Sequence, residues 1–273
     1  MLFCAAVSPV FPYWCLFVGR GVWQCANIKI RRSMQIKTRA IVLHSIRYGD
    51  SQYIIDMFTE ASGRVAFIQT VRPTGRGKIR KQLFQPLSLL DIEYDHRQRV
   101  KLQRLKEARM FVPYGTIPFD PFKLSLTIFV SEFLLYVTRN EPQNTPLFDY
   151  VTASLMWLDN SRRGFANFHL VFMLRLSLFV GFFPNLDEAA DGRWFDMRGA
   201  CFVDCRPAHP DFLAPEDAAR LCQIMRMTFD NMHLFAMSRV ERNQCVDLIL
   251  KYYSLHMPDF PEMKSLAVMQ SLF

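Results

Sequence analysis

The stretch "TRAIVLHSIRYGDSQYIIDMFTEASGRVAFIQTV", residues 38–71, decides the fold. "TRAIVLHSIRY" is apolar and β-branched enough for a strand, and "GDSQ" follows it as a turn. "YIIDMFTEAS" reads as a second strand of mixed period, and Gly63 turns the chain into a third, "RVAFIQTV". Downstream, "FQPLSLLDIEYDH" makes a fourth strand and "RVKLQRLKEARMF" a fifth. In the fifth, Val100 and Leu102 share one face and Arg99, Lys101 and Gln103 the other. The phase slips at Arg104, which predicts a bulge, a barrel bend or a short helix there. Five strands within about seventy residues leave no room for crossover helices, so the sheet is expected to be antiparallel or a small barrel. Closure removes exposed edges, and the five-stranded OB barrel is the economical solution.

After Pro113 the apolar period lengthens to that of helices. "PFKLSLTIFVSEFLLYVTRNE" places Leu124, Ile128, Phe129, Phe133 and Tyr136 along a wide stripe that Pro142 ends. "PLFDYVTASLMWLDN" and "NFHLVFMLRLSLFVG" read as two more helices, the latter stopped by Gly181 and Pro184. "APEDAARLCQIMRMTFD" starts with Pro215 and acids at a helix N-terminus, and "SRVERNQCVDLILKYYSLHM" starts at Ser238 or Asn243. The expected architecture is α+β and multidomain. An OB-fold barrel spans residues 34–112, and an all-α helical domain spans residues 113–273, with an irregular, Asp- and Pro-rich part at 184–214.

Of the 273 residues half are apolar, enough for a substantial core. The net charge of +8 is unevenly spread. Residues 1–33 carry four Lys/Arg and no acid, residues 34–110 fifteen against seven acids, and residues 111–273 fourteen against eighteen. A basic module followed by a slightly acidic, Phe-rich one points to a polyanionic partner, nucleic acid or anionic membrane. The seven cysteines are unevenly spaced in a chain large enough to fold without staples, which reads as reduced thiols in a cytosolic protein. Residues 1–33 are apolar but suit neither a signal peptide nor a membrane anchor: no cation precedes the apolar run, and Pro9 and Pro12 break it. They are expected to be a non-native or disordered extension before a start at Met34. A membrane-attached protein using them is the competing reading.

Between the third and fourth strands lies "VRPTGRGKIRKQLFQP", residues 71–86, with Arg72, Arg76, Lys78, Arg80 and Lys81 close together. A phosphate-binding P-loop needs a glycine where Arg72 stands and a hydroxyl residue where Ile79 stands, so this is not one. An isolated basic loop is commonly just solvated. This one is accompanied by Arg97, Arg99, Lys101, Arg104 and Lys106 on the fifth strand and by Arg39 and Arg47 on the first. A barrel with one cationic face suits single-stranded nucleic acid, whose phosphates release counterions on binding. These twelve cations are the expected DNA-binding set. Tyr48, Tyr53, Phe58, Phe67, Phe84 and Tyr94 could stack on bases, although strands must also bury aromatics in a core.

Asp50, Asp56 and Glu60 form a loose carboxylate set, and a metal-dependent nuclease on an OB scaffold is the alternative function. Asp50 suits a turn for its own sake, and the other two suit pairing with the basic loop. No histidine has a nucleophilic-catalysis spacing, so the expected function is not enzymatic. Cys201, Cys205 and His209 give C-x3-C-x3-H without the second pair that structural zinc requires, so neither metal nor cofactor is expected.

Several of these segments resemble one family. "A-x-V-L" at Ala40–Leu43, "Y-G-D-S" at Tyr48–Ser51, Phe58-Thr59, Gly63-Arg64, "Q-P" at Gln85 and "L-L-D" at Leu89–Asp91 are similar to the N-terminal part of the bacterial RecO family, and "G-F-F-P-N-L" at Gly181 is similar to its helical part. The resemblance runs from about Met34 to the C-terminus and is most specific before residue 110. It implies an OB-fold that binds single- and double-stranded DNA, a helical domain, and a cytoplasmic, nucleoid-associated role in recombinational repair. It implies annealing of complementary strands and action with RecR on DNA coated by single-stranded-DNA-binding protein (SSB), helping RecA replace it. Many members carry a four-cysteine zinc module, but here the first pair is missing. Packing of Trp194, Phe195, Phe202 and Phe212 is expected to hold that segment instead. The acidic, apolar SSB tail is expected in a helical groove, for which Arg162, Arg163, Arg175, Arg226, Arg239 and Arg242 are the available cations.

Overall fold

In the computed structural model, residues 34–71, 79–97, 99–189 and 192–273 are described, so readings that fall on residues 1–33 and on Arg72, Arg76 and Lys78 lie outside them. The quoted stretch folds as expected into a meander: β1 (Met34–Tyr48), β2 (Gln52–Thr59) and β3 (Gly63–Thr70). β4 (Leu89–His96) returns to pair with the first half of β1. The fifth strand is two strands. β5 (Leu102–Gln103) pairs parallel with β3, β6 (Leu105–Val112) pairs antiparallel with β4, and Arg104 alone separates them. The sheet order is therefore β5-β3-β2-β1-β4-β6. It is not a closed hydrogen-bonded ladder; its two end strands are joined through the chain at Arg104. The phase slip in the sequence marks this bend.

Alternation along the strands sends side chains into two cores. Ala40, Val42, Ile55, Met57, Phe67, Leu90, Ile92, Tyr94 and Leu105 fill the inside of the curled sheet. Ile41, Leu43, Phe58, Leu87 and Leu89 point outward into a second core, shared with the helices. The register of β1 against β2 shifts between Val42 and His44, and the extra residue of this bulge is Leu43, on the outward side with Ile41 by alternation. The Leu43 carbonyl accepts a hydrogen bond from Ser131 of α1 (Pro121–Val137).

The helical half comprises α1, α2 (Thr145–Asn160), α3 (Phe168–Phe179), α4 (Pro215–Met225), α5 (Arg239–His256) and α6 (Leu266–Leu272). Ser238 caps α5 in a capping box with Glu241. The half is not purely helical. β7 (Trp194–Asp196), β8 (Cys201–Val203) and β9 (Phe212–Leu213) form a small sheet in the segment read as irregular, in the order β8-β7-β9. The expected aromatic packing is present there: Trp194 meets Phe212 at 5.2 Å and Phe195 meets Phe202 at 5.1 Å. The apolar stripe of α1 is placed differently from the expectation. Leu124 and Ile128 are 44% and 46% exposed, while Leu126, Phe129, Val130, Phe133, Leu134 and Val137 are buried.

Sheet and helices are fastened at named points. Gly63 has φ +63°, and a Cβ there would lie 2.7 Å from the Pro142 carbonyl group. The adjacent Arg64 donates to the Leu135 carbonyl at 2.8 Å, at the end of α1. Gly63→Ala is therefore expected to cost at least about 2 kcal/mol, from the left-handed backbone and the clash together. Equilibrium urea unfolding checks it, and a variant as stable as wild type would contradict the close approach.

Candidate nucleic-acid interface

The charges of the sheet divide into two populations. On the side of β1, β4 and β6 the register sets acids opposite bases: Lys37 faces Glu93, Arg39 faces Asp91, and Asp91 faces Arg109. Lys37 pairs with Glu93 at 3.3 Å and Arg109 with Asp91 at 3.5 Å. These residues line a groove of about 650 Å³ whose charge is largely balanced. Arg39 is committed there. Its Nε and Nη2 donate to both oxygens of Glu60 at 2.8 and 2.7 Å, Nη2 reaches Asp149 at 3.2 Å, and its guanidinium lies 5.3 Å from the Phe148 ring. The hydrogen bond from Arg39 holds the Glu60 carboxyl below its usual range. Arg39 thus ties β1 to α2 and is not free for a phosphate. Lys106 pairs with Asp95 at 2.8 Å.

On the other side the cations stand apart from acids. Gln103, 4% exposed, accepts from the Arg97 N–H at 3.0 Å and donates to the carbonyls of Arg97 and Val100 at 3.0 and 2.6 Å. One buried amide thereby shapes the β4–β5 loop, whose Arg97, Arg99 and Lys101 side chains are exposed. Arg104 is exposed one residue beyond. At the β1–β2 turn, Gly49 takes φ +74°, and Arg47 wraps the turn by donating to the carbonyls of Gly49 and Asp50, each at 3.1 Å. Lys81 opens a one-turn 3-10 helix anchored by buried Phe84, with its Nζ 5.5 Å from the centre of the Tyr53 ring. Among the described residues, Arg47, Arg80, Lys81, Arg97, Arg99, Lys101 and Arg104 pair with no carboxylate.

Of the aromatics that could stack on bases, Phe58, Phe67, Phe84 and Tyr94 are core residues; Tyr53 is half-buried and Tyr48 exposed. The carboxylates of the nuclease alternative are spread out: Glu60 serves Arg39, Asp56 pairs with Arg64 at 3.5 Å, and Asp50 stays in the turn. His209 contacts Asp196 at 3.2 Å and accepts from the Asp211 N–H. The described cysteines, 201, 205, 222 and 245, are free. Among the described residues no three His, Cys, Asp or Glu converge to hold a metal, and no helix is long and apolar enough to cross a membrane.

The six arginines of the helical half do not converge. Arg162 and Arg163 are exposed side by side after α2, Arg226 is exposed at the end of α4, and Arg175 reaches the Met227 carbonyl. Only Arg239 and Arg242 meet, in a pocket of about 380 Å³ lined by Phe122, Phe165, Leu272 and Phe273. Arg242 is held there by Asn167 and the Met237 carbonyl, and Arg239 by the Ser271 carbonyl. Sequence reasoning left Arg64 and Arg109 out of the cation set, and it placed Gln103 on one face with Arg99 and Lys101, whereas Gln103 is buried and those two are exposed. The alternation of acids along β4 (Asp91, Glu93, Asp95) was the available signal that the β1 cations facing it would be neutralised.

Two family models cover the described chain: "Recombination protein O N terminal" matches residues 34–114 and "Recombination protein O C terminal" residues 118–266. The chain belongs to the RecO family. It is 48% identical over 238 residues to a DNA repair protein RecO of Bacteroides fragilis, covering 87% of this chain and 98% of that protein. The RecO proteins of Phocaeicola vulgatus and Porphyromonas gingivalis are 46% and 38% identical over 237 and 245 residues, again covering 98% and 100% of their lengths. The RecO segments similar by motif now have structural roles. Tyr48–Ser51 builds the turn that Arg47 wraps, and Gly63-Arg64 abuts the end of α1.

Proposed function

We propose that this chain is a non-catalytic recombination mediator of DNA repair. It binds single- and double-stranded DNA through the cations around β3 and the β1–β2 turn, and it anneals complementary strands. One observation carries the reading: among the described residues, seven exposed cations without carboxylate partners border one side of a small sheet, whereas those on the β1–β4–β6 side are neutralised. Two strands repel through their phosphates. A cationic surface that holds one strand by its backbone lowers that barrier while leaving base edges free. The relatives, named as DNA repair proteins, support the same setting. With RecR, such a protein helps RecA onto SSB-coated DNA, which places it in the cytoplasm at the nucleoid. The Arg239–Arg242 pocket, apolar with two cations, suits the acidic apolar tail of SSB.

The test is a salt titration of oligo(dT) binding by wild type and by Arg97/Arg99/Lys101/Arg104→Ala. Each lost phosphate contact lowers the log–log slope by about 0.7, so the variant's slope falls by up to about 3, and annealing of complementary strands slows. An unchanged slope would assign these side chains to solubility alone.

A further inference from the structure

α6 and Phe273 close one wall of the Arg239–Arg242 pocket. The Phe273 ring, 6% exposed, meets Phe122 edge-on at 5.8 Å and lies 5.8 Å from the ring of His169. His169 is fully buried against it, and neither ring nitrogen has a hydrogen-bond partner among the described residues. One aromatic ring thus seals an apolar recess that contains an unused polar group. The seal is light. α6 is seven residues long, too short to hold as a helix on its own. Met269 is its buried side chain, while Val268 and Leu272 are largely exposed. The rest of its hold is polar and lies at the rim. Glu132 of α1 accepts from the N–H groups of Lys264 and Ser265 at 3.0 and 2.8 Å and from the Ser265 hydroxyl. Asn243 donates to the Gln270 carbonyl at 3.2 Å, and Arg239 donates to the Ser271 carbonyl at 2.9 Å. The exposed cation of the pocket is therefore engaged by α6 itself.

We propose that α6 is a displaceable stopper. When the acidic, apolar tail binds, α6 lifts away and an apolar side chain of the tail takes the Phe273 place between Phe122 and His169. The tail's carboxylates take Arg242 and the Arg239 released from Ser271. This rests on the tail reading of the pocket and adds its regulation. The exchange keeps the apolar contact and improves the polar one, because a carboxylate is a stronger partner for a guanidinium than a carbonyl is. His169 gains an acceptor for its ring N–H in the same step. While α6 is seated the recess is closed, so the apparent affinity is the intrinsic affinity reduced by the open fraction. Loosening α6 then tightens tail binding, whereas damage to a mere pocket wall weakens it.

Fluorescence anisotropy with a fluorescein-labelled SSB-tail peptide tests this, for wild type, Glu132→Ala, Phe273→Ala and Arg242→Ala, together with hydrogen exchange of residues 266–273 in wild type. Thermal unfolding confirms that each variant is folded, and the exchange measurement needs no variant. Glu132→Ala and Phe273→Ala are each expected to bind the peptide about tenfold more tightly, and Arg242→Ala at least about tenfold more weakly. Saturating peptide is expected to speed exchange at residues 266–273. Peptide that slows that exchange or leaves it unchanged, or loosened variants that bind no more tightly than wild type, would overturn the displacement while the tail site stands. Arg242→Ala binding as wild type does, or no binding by wild type and both loosened variants, would overturn the tail reading of this pocket and the displacement with it.

Discussion

Asp159→Ala is expected to lower the unfolding free energy by about 3–5 kcal/mol and the midpoint of thermal unfolding by roughly 10 °C. Asp159 sits at the end of α2 and receives the N–H groups of Gly115, Thr116 and Ile117 at 2.8, 2.8 and 2.9 Å. These belong to the connection between β6 and α1. Burial pushes the carboxyl up, but the N–H groups of Gly115, Ile117 and Thr116 outweigh it and hold the group below its usual range. Beside it, Lys123 is almost fully buried. Its Nζ donates to the Thr116 hydroxyl at 2.6 Å and to the carbonyls of Asp159 and Ser161 at 3.1 and 2.5 Å. Removing the carboxylate leaves three N–H groups unpaired and a buried ammonium without its nearest anion. Urea unfolding at neutral pH measures the loss. A change below about 1 kcal/mol would mean that the connection is held by other contacts.

The acid limb of the stability curve is expected to be governed by His169. This residue is fully buried on α3, between the rings of Phe129 and Phe273 at 6.3 and 5.8 Å, and neither ring nitrogen has a hydrogen-bond partner. Burial, with a smaller effect of Arg242, lowers its pKa from 6.5 to about 3. Between those values the unfolded chain binds a proton that the folded chain refuses. Stability is therefore complete above pH 6.5 and falls by about 1.4 kcal/mol per pH unit on acidification, until the folded pKa is reached. The total is on the order of 4–5 kcal/mol. His169→Leu removes the titration and two unpaired nitrogens, so it flattens that limb and gains stability at neutral pH. Unfolding curves at pH 4.5 and 7 for both proteins decide it. Equal pH dependence in the two would show that His169 is not the controlling group.

Local pattern carried much of the fold to the page. The turn at Gly49-Asp50, the phase slip at Arg104 and the cap at Ser238 are short-range signals, and each is where the structure puts it. The misplacements come from long-range packing. α1 is apolar on nearly every side, so its sequence could not say that Leu124 and Ile128 would be left outside. The strands β7–β9 are two or three residues long, too short to show alternation. The Asp159–Thr116 contact spans 43 residues. For the interface, the sequence showed how many cations there are but not which are already matched. Lys106 and Arg97 look alike in the chain. One lies beside Asp95, and the other rides on a loop shaped by Gln103.

Leu43 at the bulge, together with Ile41, Phe58, Leu87 and Leu89, gives the sheet a greasy underside that, among the described residues, its own helices cover. Such a sheet is poor currency for gene shuffling. Cut from the chain near Pro113 and spliced to a foreign partner, it would carry a sticky flank into its new setting, so its two halves are expected to be inherited as one piece.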